Sequence, residues 1–273
     1  MSLIGMIQGR GPSGFGYDST AAEVLAGLDL RGKTFLVTGA TSGIGLETLR
    51  ALCARGARVL ALARTVEKAQ AACALAQGTR AVGTAGSALP VACDLGDPAS
   101  VRAAVAAVSR LGGPLDALIA NAGIMALPRL ERQHGYEAQF FTNHVGHFLL
   151  VTGLLGRLAP QGRVVMVSSE AHHRAPPGGI ELDNLTGERG YQPWRAYAQS
   201  KLANLLFAKH LATRLPAGQT AHALHPGVIA TNLGRHMHPA LWITFQVLAA
   251  PFLKSIAQGA ATQCYVATHA APG

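Results

Sequence analysis

Charged residues are scarce in this 273-residue chain, at 14%, and acidic residues are the scarcer kind, with 14 Asp and Glu against 23 Lys and Arg. The formal net charge is therefore +9. A basic balance can serve nucleic acid, an anionic membrane surface or an acidic ligand. The sequence has no run of basic residues and no aromatic-rich basic patch, which a nucleic-acid-binding surface would need. We expect no nucleic-acid partner, and a phosphate-rich cofactor is the simpler explanation of the charge.

Cysteine is also rare, with four residues and no CxxC pair. The cysteines are Cys53, Cys73, Cys93 and Cys264. Their spacing is not that of a metal site. Two pairs of nearby histidines, His172 with His173 and His236 with His238, have no neighbouring Cys or carboxylate ligands. We therefore expect no metal, and reduced thiols in a cytoplasmic protein.

Long hydrophobic segments are missing as well. The N-terminal stretch "MSLIGMIQGRGPSGFGYDST" lacks the charged region and apolar core of a secretion signal. The longest apolar run near the C-terminus, 239–253, is too short for a comfortable membrane span. Hydrophobic residues nevertheless make up 49% of the chain, a globular composition that can bury the core of one large domain.

Strand-type and helix-type segments alternate along the chain. The predicted strands are 33–38, 57–63, 89–95, 115–121, 162–169 and 220–226. The predicted helices follow the first strand to about residue 55 and then cover 97–111, 135–158 and 193–215. The strands are continuous apolar runs, which is typical of strands buried on both faces of a parallel sheet. The alternation predicts a doubly wound, mainly parallel α/β sheet of six or seven strands with helices on both faces.

A glycine-rich segment, "TGATSGIG" at Thr38–Gly45, lies between the first strand and the first helix. Gly39, Gly43 and Gly45 let the backbone turn sharply and approach a pyrophosphate at the helix N-terminus. The spacing G-x-x-x-G-x-G differs from the G-x-G-x-x-G of most dinucleotide folds. A tight turn without a ligand is the alternative, but the position between a strand and a helix favours a dinucleotide.

The end of the second strand bears on which dinucleotide is bound. An acidic residue usually holds the ribose 2′-hydroxyl there, but Ala63 occupies the expected position and no acidic residue precedes Glu67. Arg64 follows directly, and its guanidinium can hold a 2′-phosphate. The pattern favours NADP(H) over NAD(H). The alternative role of Arg64 is that of a solvated arginine at a strand end.

Tyr197 and Lys201, in "YAQSK", are separated by one helical turn. Positions i and i+4 share a helix face, so the two side chains can lie together beside a cofactor. A nearby cation favours the phenolate and lowers the tyrosine pKa from about 10. The pair can therefore act as an acid/base group, which carbonyl reduction needs because it adds hydride to carbon and a proton to oxygen.

At this point the sequence resembles the short-chain dehydrogenase/reductase family. The motifs that carry the resemblance are, in order, "TGATSGIG", "CDL", "ANAG", "NHVGHF", "VVMVSS", "YAQSK" and "HPGVIATNL". The resemblance implies a Rossmann-type fold with one NADP-binding domain at 28–273, preceded by an N-terminal extension at 1–27. A substrate-covering segment is expected at about 232–254.

The resemblance also implies roles for individual residues. Tyr197 would exchange the proton, Lys201 would bind the nicotinamide ribose and lower the pKa of Tyr197, Ser169 would hydrogen-bond the substrate oxygen, and Asn143 would serve a proton relay to Lys201. The remaining cofactor-binding residues implied are Gly39, Thr41, Ser42, Gly43, Ile44, Gly45, Arg64, Asp94, Leu95, Asn121, Ala122, Gly123, Pro226, Gly227, Val228 and Thr231.

Several of these residues have a structural alternative. Ser168 or Ser169 could end a strand, Asn143 could bond to helix backbone, and Asp94 could cap a turn. Each alternative weakens when the residues occur in this order on a βα scaffold.

Further segments resemble the retinol dehydrogenase and WW-domain oxidoreductase branch, among them "NHVGHF", "EAHHR" and "SKLANLLFAKHLATRL". That branch implies a hydrophobic carbonyl or alcohol substrate of retinoid, steroid, aryl ketone or aldehyde type. It also implies that the insertion between Ser169 and Tyr197 forms a loop beside the catalytic helix. Two alternatives remain: a non-catalytic dinucleotide-binding or sensor protein, and a double-bond reductase similar to protochlorophyllide reductase.

Two features depart from that branch. The sequence shows no N-terminal membrane anchor and no WW module, and it ends at "ATHAAPG", where a seventh strand and a tail are expected. The edge of the sheet and a homo-oligomeric interface are therefore left open. The segment 234–254 is rich in large apolar residues, which suits an apolar lid, a core-packed helix, or a subunit or membrane-surface contact.

Overall fold

The computed structural model describes residues 9–78, 86–229 and 253–269, together with Gly5. The strands are β1 (Thr34–Thr38), β2 (Arg58–Ala63), β3 (Ser87–Ala92), β4 (Leu115–Ala120), β5 (Arg132–Gln133), β6 (Tyr136–Glu137), β7 (Leu158–Val167) and β8 (Thr220–Leu224). Six of them form one sheet in the order β3-β2-β1-β4-β7-β8, and every pair in it is parallel. The predicted Rossmann-type sheet is confirmed. The strand order reverses between β1 and β4, where such sheets form a ligand-binding crevice.

The helices in the described ranges are α1 (Ala21–Val24), α2 (Gly43–Cys53), α3 (Val66–Gln77), α4 (Pro98–Arg110), α5 (Ala138–Phe140), α6 (Gly146–Leu154), α7 (Pro193–Ala212) and α8 (Ile256–Thr268). Helix α4 begins as its Asp-Pro sequence predicts. The carboxylate of Asp97 accepts hydrogen bonds from the N–H groups of Ala99 and Ser100, and Pro98 occupies the first turn, where a missing N–H costs nothing. None of these helices combines the length and apolar character needed to cross a bilayer.

Two apolar clusters sandwich the sheet because successive strand residues face opposite sides. Phe35 and Val37 of β1 point into one cluster, and Leu36 between them points into the other. Helices α2, α3 and α8 cover the first face, with Leu49 in its core. Helices α4, α6 and α7 cover the second, with Leu150 in its core. This two-sided burial explains why the strands are continuous apolar runs.

Part of the predicted N-terminal extension packs on the sheet's first layer of helices. Ala21, Val24 and Leu25 are buried in the same cluster as residues of α8. The side-chain amide of Gln258 on α8 also donates to the backbone and carboxylate oxygens of Asp18, at 3.3 Å each. This segment therefore contributes to the core.

The prediction of one continuous helix over 135–158 is wrong. The β5–β6 hairpin comes first, and a π-helical turn at Phe141–Val145 then separates α5 from α6. Two side chains of this segment make contacts outside the helical pattern: Asn143 bonds to the backbone of Ile124, and the His147 ring contacts the Asn143 carbonyl oxygen. Such π turns inside helices are frequent at functional sites.

Candidate active site

A cavity of about 1270 Å³ opens at the carboxyl ends of the strands, at the reversal of strand order. Most residues predicted for the site line it: Gly39, Thr41, Ser42, Gly43, Ile44, Gly45, Arg64, Asp94, Leu95, Asn121, Ala122, Gly123, Ser169, Tyr197, Lys201, Pro226, Gly227 and Val228. Asn143 lies behind the wall and is fully buried. Thr231 and most of the predicted substrate-covering segment lie outside the described residues.

The glycine-rich turn packs so closely that side chains are excluded. Gly39 and Gly43 have φ values of 67° and 55°, which glycine adopts readily. A Cβ on Gly39 would lie 2.9 Å from the Cα of Ala122, and one on Gly45 would overlap the carbonyl oxygen of Gly39. Helix α2 starts without a side-chain cap from Ser42, so its first-turn N–H groups remain for a ligand in the cavity. The turn thus suits a pyrophosphate.

Asn121 gives a further test of fit to a dinucleotide. Its amide nitrogen donates to the carbonyl oxygen of Thr38 at 2.8 Å, which holds the ends of β1 and β4 together. Its Oδ1 atom is buried and has no hydrogen-bond partner among the described residues. An acceptor left in this way at the cavity wall matches a hydroxyl donor such as that of a ribose. The residues present therefore fit a dinucleotide.

The end of β2 carries two cations at the cavity wall. Arg64 follows the strand, and Lys68 lies in the first turn of α3; both line the cavity. Thr65 caps α3 by accepting from the N–H of Lys68, which orients this turn. The sequence analysis did not single out Lys68, although its place one turn after Arg64 was the available signal. The cavity wall after β2 is therefore basic, and Glu67 is exposed to solvent and does not line the cavity.

Asp94 lies just beyond β3, which ends at Ala92 and not at the predicted residue 95. Its N–H donates to the Ser100 hydroxyl, and its carboxylate accepts from the Gly96 N–H, both at 2.9 Å. Asp94 therefore caps a turn, which was the structural alternative for this residue. It also lines the cavity, and its contact with adenine stays a prediction.

Tyr197, Ser169 and Lys201 meet at the opposite end of the cavity. The Ser169 side chain lies close enough to the Tyr197 phenol to act on its pKa in the lowering direction. The Nζ atom of Lys201 lies 5.6 Å from the Tyr197 ring centroid and donates to the carbonyl oxygen of Val167 at 2.9 Å. The structure thus brings a hydroxyl, a phenol and a cation together.

Burial dominates the ionisation of this group. Removal from water raises the pKa of Tyr197 to about 12, although the neighbouring Ser169 side chain acts in the lowering direction. Removal from water lowers the pKa of Lys201 to about 8. The sequence predicted that Lys201 lowers the pKa of Tyr197. In this structure the burial of the phenol acts in the opposite direction, so the phenol is protonated at neutral pH.

Asn143 occupies the π turn and connects three parts of the site. Its Oδ1 accepts from the N–H of Ile124 at 2.8 Å, and its Nδ2 donates to the carbonyl of Ile124 and to the hydroxyl of Ser200. The structural alternative, bonding to backbone, therefore applies to this side chain. The same bonds place Asn143 between the "ANAG" loop and the helix that carries Lys201.

Two supports of the site were missed by the sequence analysis. The Ser168 hydroxyl donates to the carbonyl oxygen of Lys201 at 2.7 Å, which ties α7 to the end of β7. Gln139, fully buried, bonds to the N–H of Ala126 and to the Tyr191 hydroxyl, which donates to the carbonyl oxygen of Leu127. Ser168 belongs to the "VVMVSS" motif but was considered only as the end of a strand, and no motif marks Gln139. Their bonding partners come from distant segments, so the local sequence does not indicate them.

The insertion before α7 lies beside the catalytic helix. The N–H of Glu181 donates to the side chain of Gln199 at 2.7 Å, and the Glu181 carboxylate pairs with Arg195. The cavity lining also includes the apolar residues Met125, Leu127, Trp194, Val228 and Ile229, and the polar residues Glu170, Arg174 and His225. The Trp194 ring packs edge-on against the Tyr197 ring, with the centroids 6.2 Å apart.

Comparison with known proteins agrees with this class of dinucleotide-binding fold and site. The family model "short chain dehydrogenase" matches residues 33–241. A short-chain dehydrogenase TIC 32 B, chloroplastic, from Brassica napus is 38% identical over 98% of this chain and 86% of the relative. Human retinol dehydrogenase 12 is 41% identical over 88% of this chain and 74% of the relative.

A solved structure of a short chain dehydrogenase from Burkholderia cenocepacia J2315 in complex with NADP superposes with a TM-score of 0.69. It is 27% identical and covers 88% of this chain and 92% of the other. The chain belongs to the short-chain dehydrogenase family, an oxidoreductase family whose members bind nicotinamide dinucleotides. The predicted resemblance, including the retinol dehydrogenase branch, is confirmed.

Proposed function

We propose that this protein transfers hydride between NADP(H) and the carbonyl or alcohol carbon of a hydrophobic substrate, with Tyr197 as the general acid/base. The observation that carries the proposal is that Tyr197, Ser169 and Lys201 line the same cavity as the glycine-rich turn. A bound nicotinamide would supply or accept the hydride. The protein's own residues must then supply the proton and orient the oxygen.

The roles follow from the chemistry of each group. Tyr197 is protonated at neutral pH and can donate to a carbonyl oxygen that becomes an alkoxide. Ser169 can donate a second hydrogen bond to that oxygen, which stabilises its developing charge. Lys201 has two ammonium protons beyond the one given to Val167 and is buried near the phenol, so its charge favours the phenolate formed after transfer.

NADP(H) is proposed in preference to NAD(H) because of the basic corner after β2. Arg64 and Lys68 can both reach the cavity there, and Ala63 offers no carboxylate to a ribose 2′-hydroxyl. A dianionic 2′-phosphate would gain from two cations and from the N-terminus of α3. The NADP complex of the Burkholderia relative is consistent with this choice.

A hydrophobic substrate is proposed from the apolar residues of the cavity lining, among them Trp194 beside Tyr197, and from the similarity to retinol dehydrogenase 12. A segment covering the substrate at 232–254, including Trp242 and Phe245, is part of the same proposal. A cytoplasmic location also stays a proposal, based on the buried thiols of Cys73, Cys93 and Cys264.

The test is turnover of NADPH and NADH with retinal, steroid ketones, aryl ketones and long-chain aldehydes, with product analysis. Reduction of the carbonyl with NADPH supports the proposal. Binding of NADPH without turnover of any substrate would instead indicate a dinucleotide-binding or sensor protein. Products reduced at a carbon–carbon double bond would indicate the protochlorophyllide-reductase-like alternative.

A further inference from the structure

His147 on α6 is fully buried between the dinucleotide side of the cavity and Asn143. Its Nε2 atom lies 2.9 Å from the hydroxyl oxygen of Thr38, at the end of β1. Its Nδ1 atom lies 2.8 Å from the backbone carbonyl oxygen of Asn143. A buried imidazole with both nitrogens occupied by groups from two different parts of the site is more specific than ordinary core packing.

The neighbours of Thr38 determine which ring nitrogen carries the proton. The Thr38 hydroxyl oxygen accepts from the N–H groups of Asn121 and Ala122, both at 2.9 Å. A hydroxyl has two acceptor lone pairs and one proton, so its proton is left for His147 Nε2. Nε2 must then be the acceptor, and Nδ1–H donates to Asn143. The ring is therefore the neutral Nδ1–H tautomer.

The surroundings also oppose a charged ring. A second N–H at Nε2 would face a hydroxyl oxygen with no free lone pair. Burial lowers the pKa of His147 to about 4, and the positive charge of nearby Lys201 acts in the same direction. The ring therefore stays neutral across the pH range in which an oxidoreductase would be assayed.

We propose that His147 is a positioning residue, which fixes the backbone of Asn143 relative to the strand ends that hold the dinucleotide. The connection runs from the Asn121–Ala122 backbone through Thr38 and the imidazole to Asn143, whose side chain contacts Ser200 next to Lys201. The kinetic part of this inference rests on the proposed function, because it concerns the geometry of the proton-transfer group.

Two substitutions separate the two ends of the connection. In His147→Asn, the amide nitrogen can take the place of Nδ1 and donate to Asn143, but the side chain is too short to reach Thr38. In His147→Gln, the amide oxygen can take the place of Nε2 and accept from Thr38, while the Asn143 carbonyl loses its partner. Leaving a buried polar group unpaired changes an equilibrium or rate by about tenfold or more.

We therefore expect His147→Asn to keep kcat within about threefold of the wild type and to raise the Kd for NADPH about tenfold. We expect His147→Gln to keep that Kd within about threefold and to lower kcat about tenfold or more. Equal effects of the two substitutions on kcat and on the NADPH Kd would overturn the proposal. A merely structural histidine would not give one substitution that affects the Kd and another that affects kcat.

His144 provides a matched control on the same segment. It is half-buried and bonds to the side chain of Asn204 at 3.1 Å, and it does not line the cavity. His144→Gln should leave both kcat and the NADPH Kd within about threefold of the wild type, whatever its effect on Tm. A His144→Gln variant that reproduced the His147→Gln losses would also count against a specific role for His147.

A spectroscopic measurement on the cofactor-free protein tests the tautomer directly. The ¹⁵N chemical shifts of the His147 ring, assigned by their loss in His147→Asn, should show a neutral Nδ1–H imidazole from pH 8 to pH 5. An Nε2–H tautomer, or protonation above pH 6, would overturn the proposal. If the wild type bound NADPH but reduced no carbonyl, only the proposed function would fail, and the ring shifts and the NADPH Kd would still decide the placement of His147.

Discussion

The Nζ atom of Lys201 lies 5.6 Å from the ring centroid of Tyr197 and hydrogen-bonds to the carbonyl oxygen of Val167 instead of the phenol. The ammonium group therefore lies over the tyrosine ring and makes no hydrogen bond to the phenol oxygen. Burial shifts the pKa of each group in the direction that favours its neutral form. The pKa rises to about 12 for Tyr197 and falls to about 8 for Lys201. At neutral pH the phenol is therefore protonated, while the lysine still carries its charge.

Tyr197→Phe removes the phenolic proton and keeps the ring. We expect turnover to fall by about two to four orders of magnitude, because a general acid contributes about that much. The NADPH Kd should change little, since the proton acts in the chemical step. Tyr265→Phe, on α8 and away from the cavity, is the matched control and should retain activity. Near-normal turnover of Tyr197→Phe would exclude the proposed mechanism.

Lys201→Met should abolish most turnover and change how stability depends on pH. The folded-state pKa of Lys201, about 8, lies below the unfolded value of 10.5. Between those pH values the unfolded chain binds more protons, so this lysine makes the free energy of unfolding rise with pH there. Below pH 8 the cost of the buried charge is fully present.

Denaturant unfolding at several pH values from 7 to 10.5 measures this effect. The wild type should gain stability relative to Lys201→Met as the pH rises from about 8. The comparison depends on how the difference in unfolding free energy changes with pH, and it is insensitive to how well methionine packs. A constant stability difference over that range would show that Lys201 is not held in a low-polarity environment.

Arg64→Ala should weaken NADPH binding and leave NADH binding almost unchanged, because only NADPH carries the 2′-phosphate. Loss of one charge-assisted contact at an exposed site corresponds to about a tenfold change in Kd. Lys68→Ala should act in the same direction. Arg110→Ala, at the end of α4 and away from the cavity, is the control. Equal weakening of both cofactors would mean that Arg64 does not select between them.

Gly45→Ala should prevent dinucleotide binding, because the new Cβ overlaps the Gly39 carbonyl oxygen and would displace the turn. Gly156→Ala makes the same chemical change where no neighbouring atom lies within 4 Å, so it should bind NADPH normally. Tryptophan or NADPH fluorescence titration of the two variants compares them directly. Normal binding by Gly45→Ala would show that the turn is not a phosphate site.

The ordered motifs of the sequence predicted the sheet, the dinucleotide site and the family. Those predictions depend on local rules: apolar runs mark strands buried on both faces, and glycines mark a turn without room for side chains. The i,i+4 spacing of Tyr197 and Lys201 likewise requires only a helix, which α7 provides. Local rules failed at 135–158, where a hairpin and a π turn interrupt the predicted helix.

The sequence by itself determined most of the residues that face the cavity, because strand ends and a short turn bring them there in any fold of this kind. Tertiary structure alone decided their ionisation and partners. The pKa of Tyr197 depends on how much water the packing removes, and Lys201 finds its acceptor at Val167 on another element. The bridge from Thr38 through His147 to Asn143 likewise joins residues 109 and 4 positions apart in sequence. Burial and long-range hydrogen bonds are properties of the folded arrangement, and no local pattern encodes them.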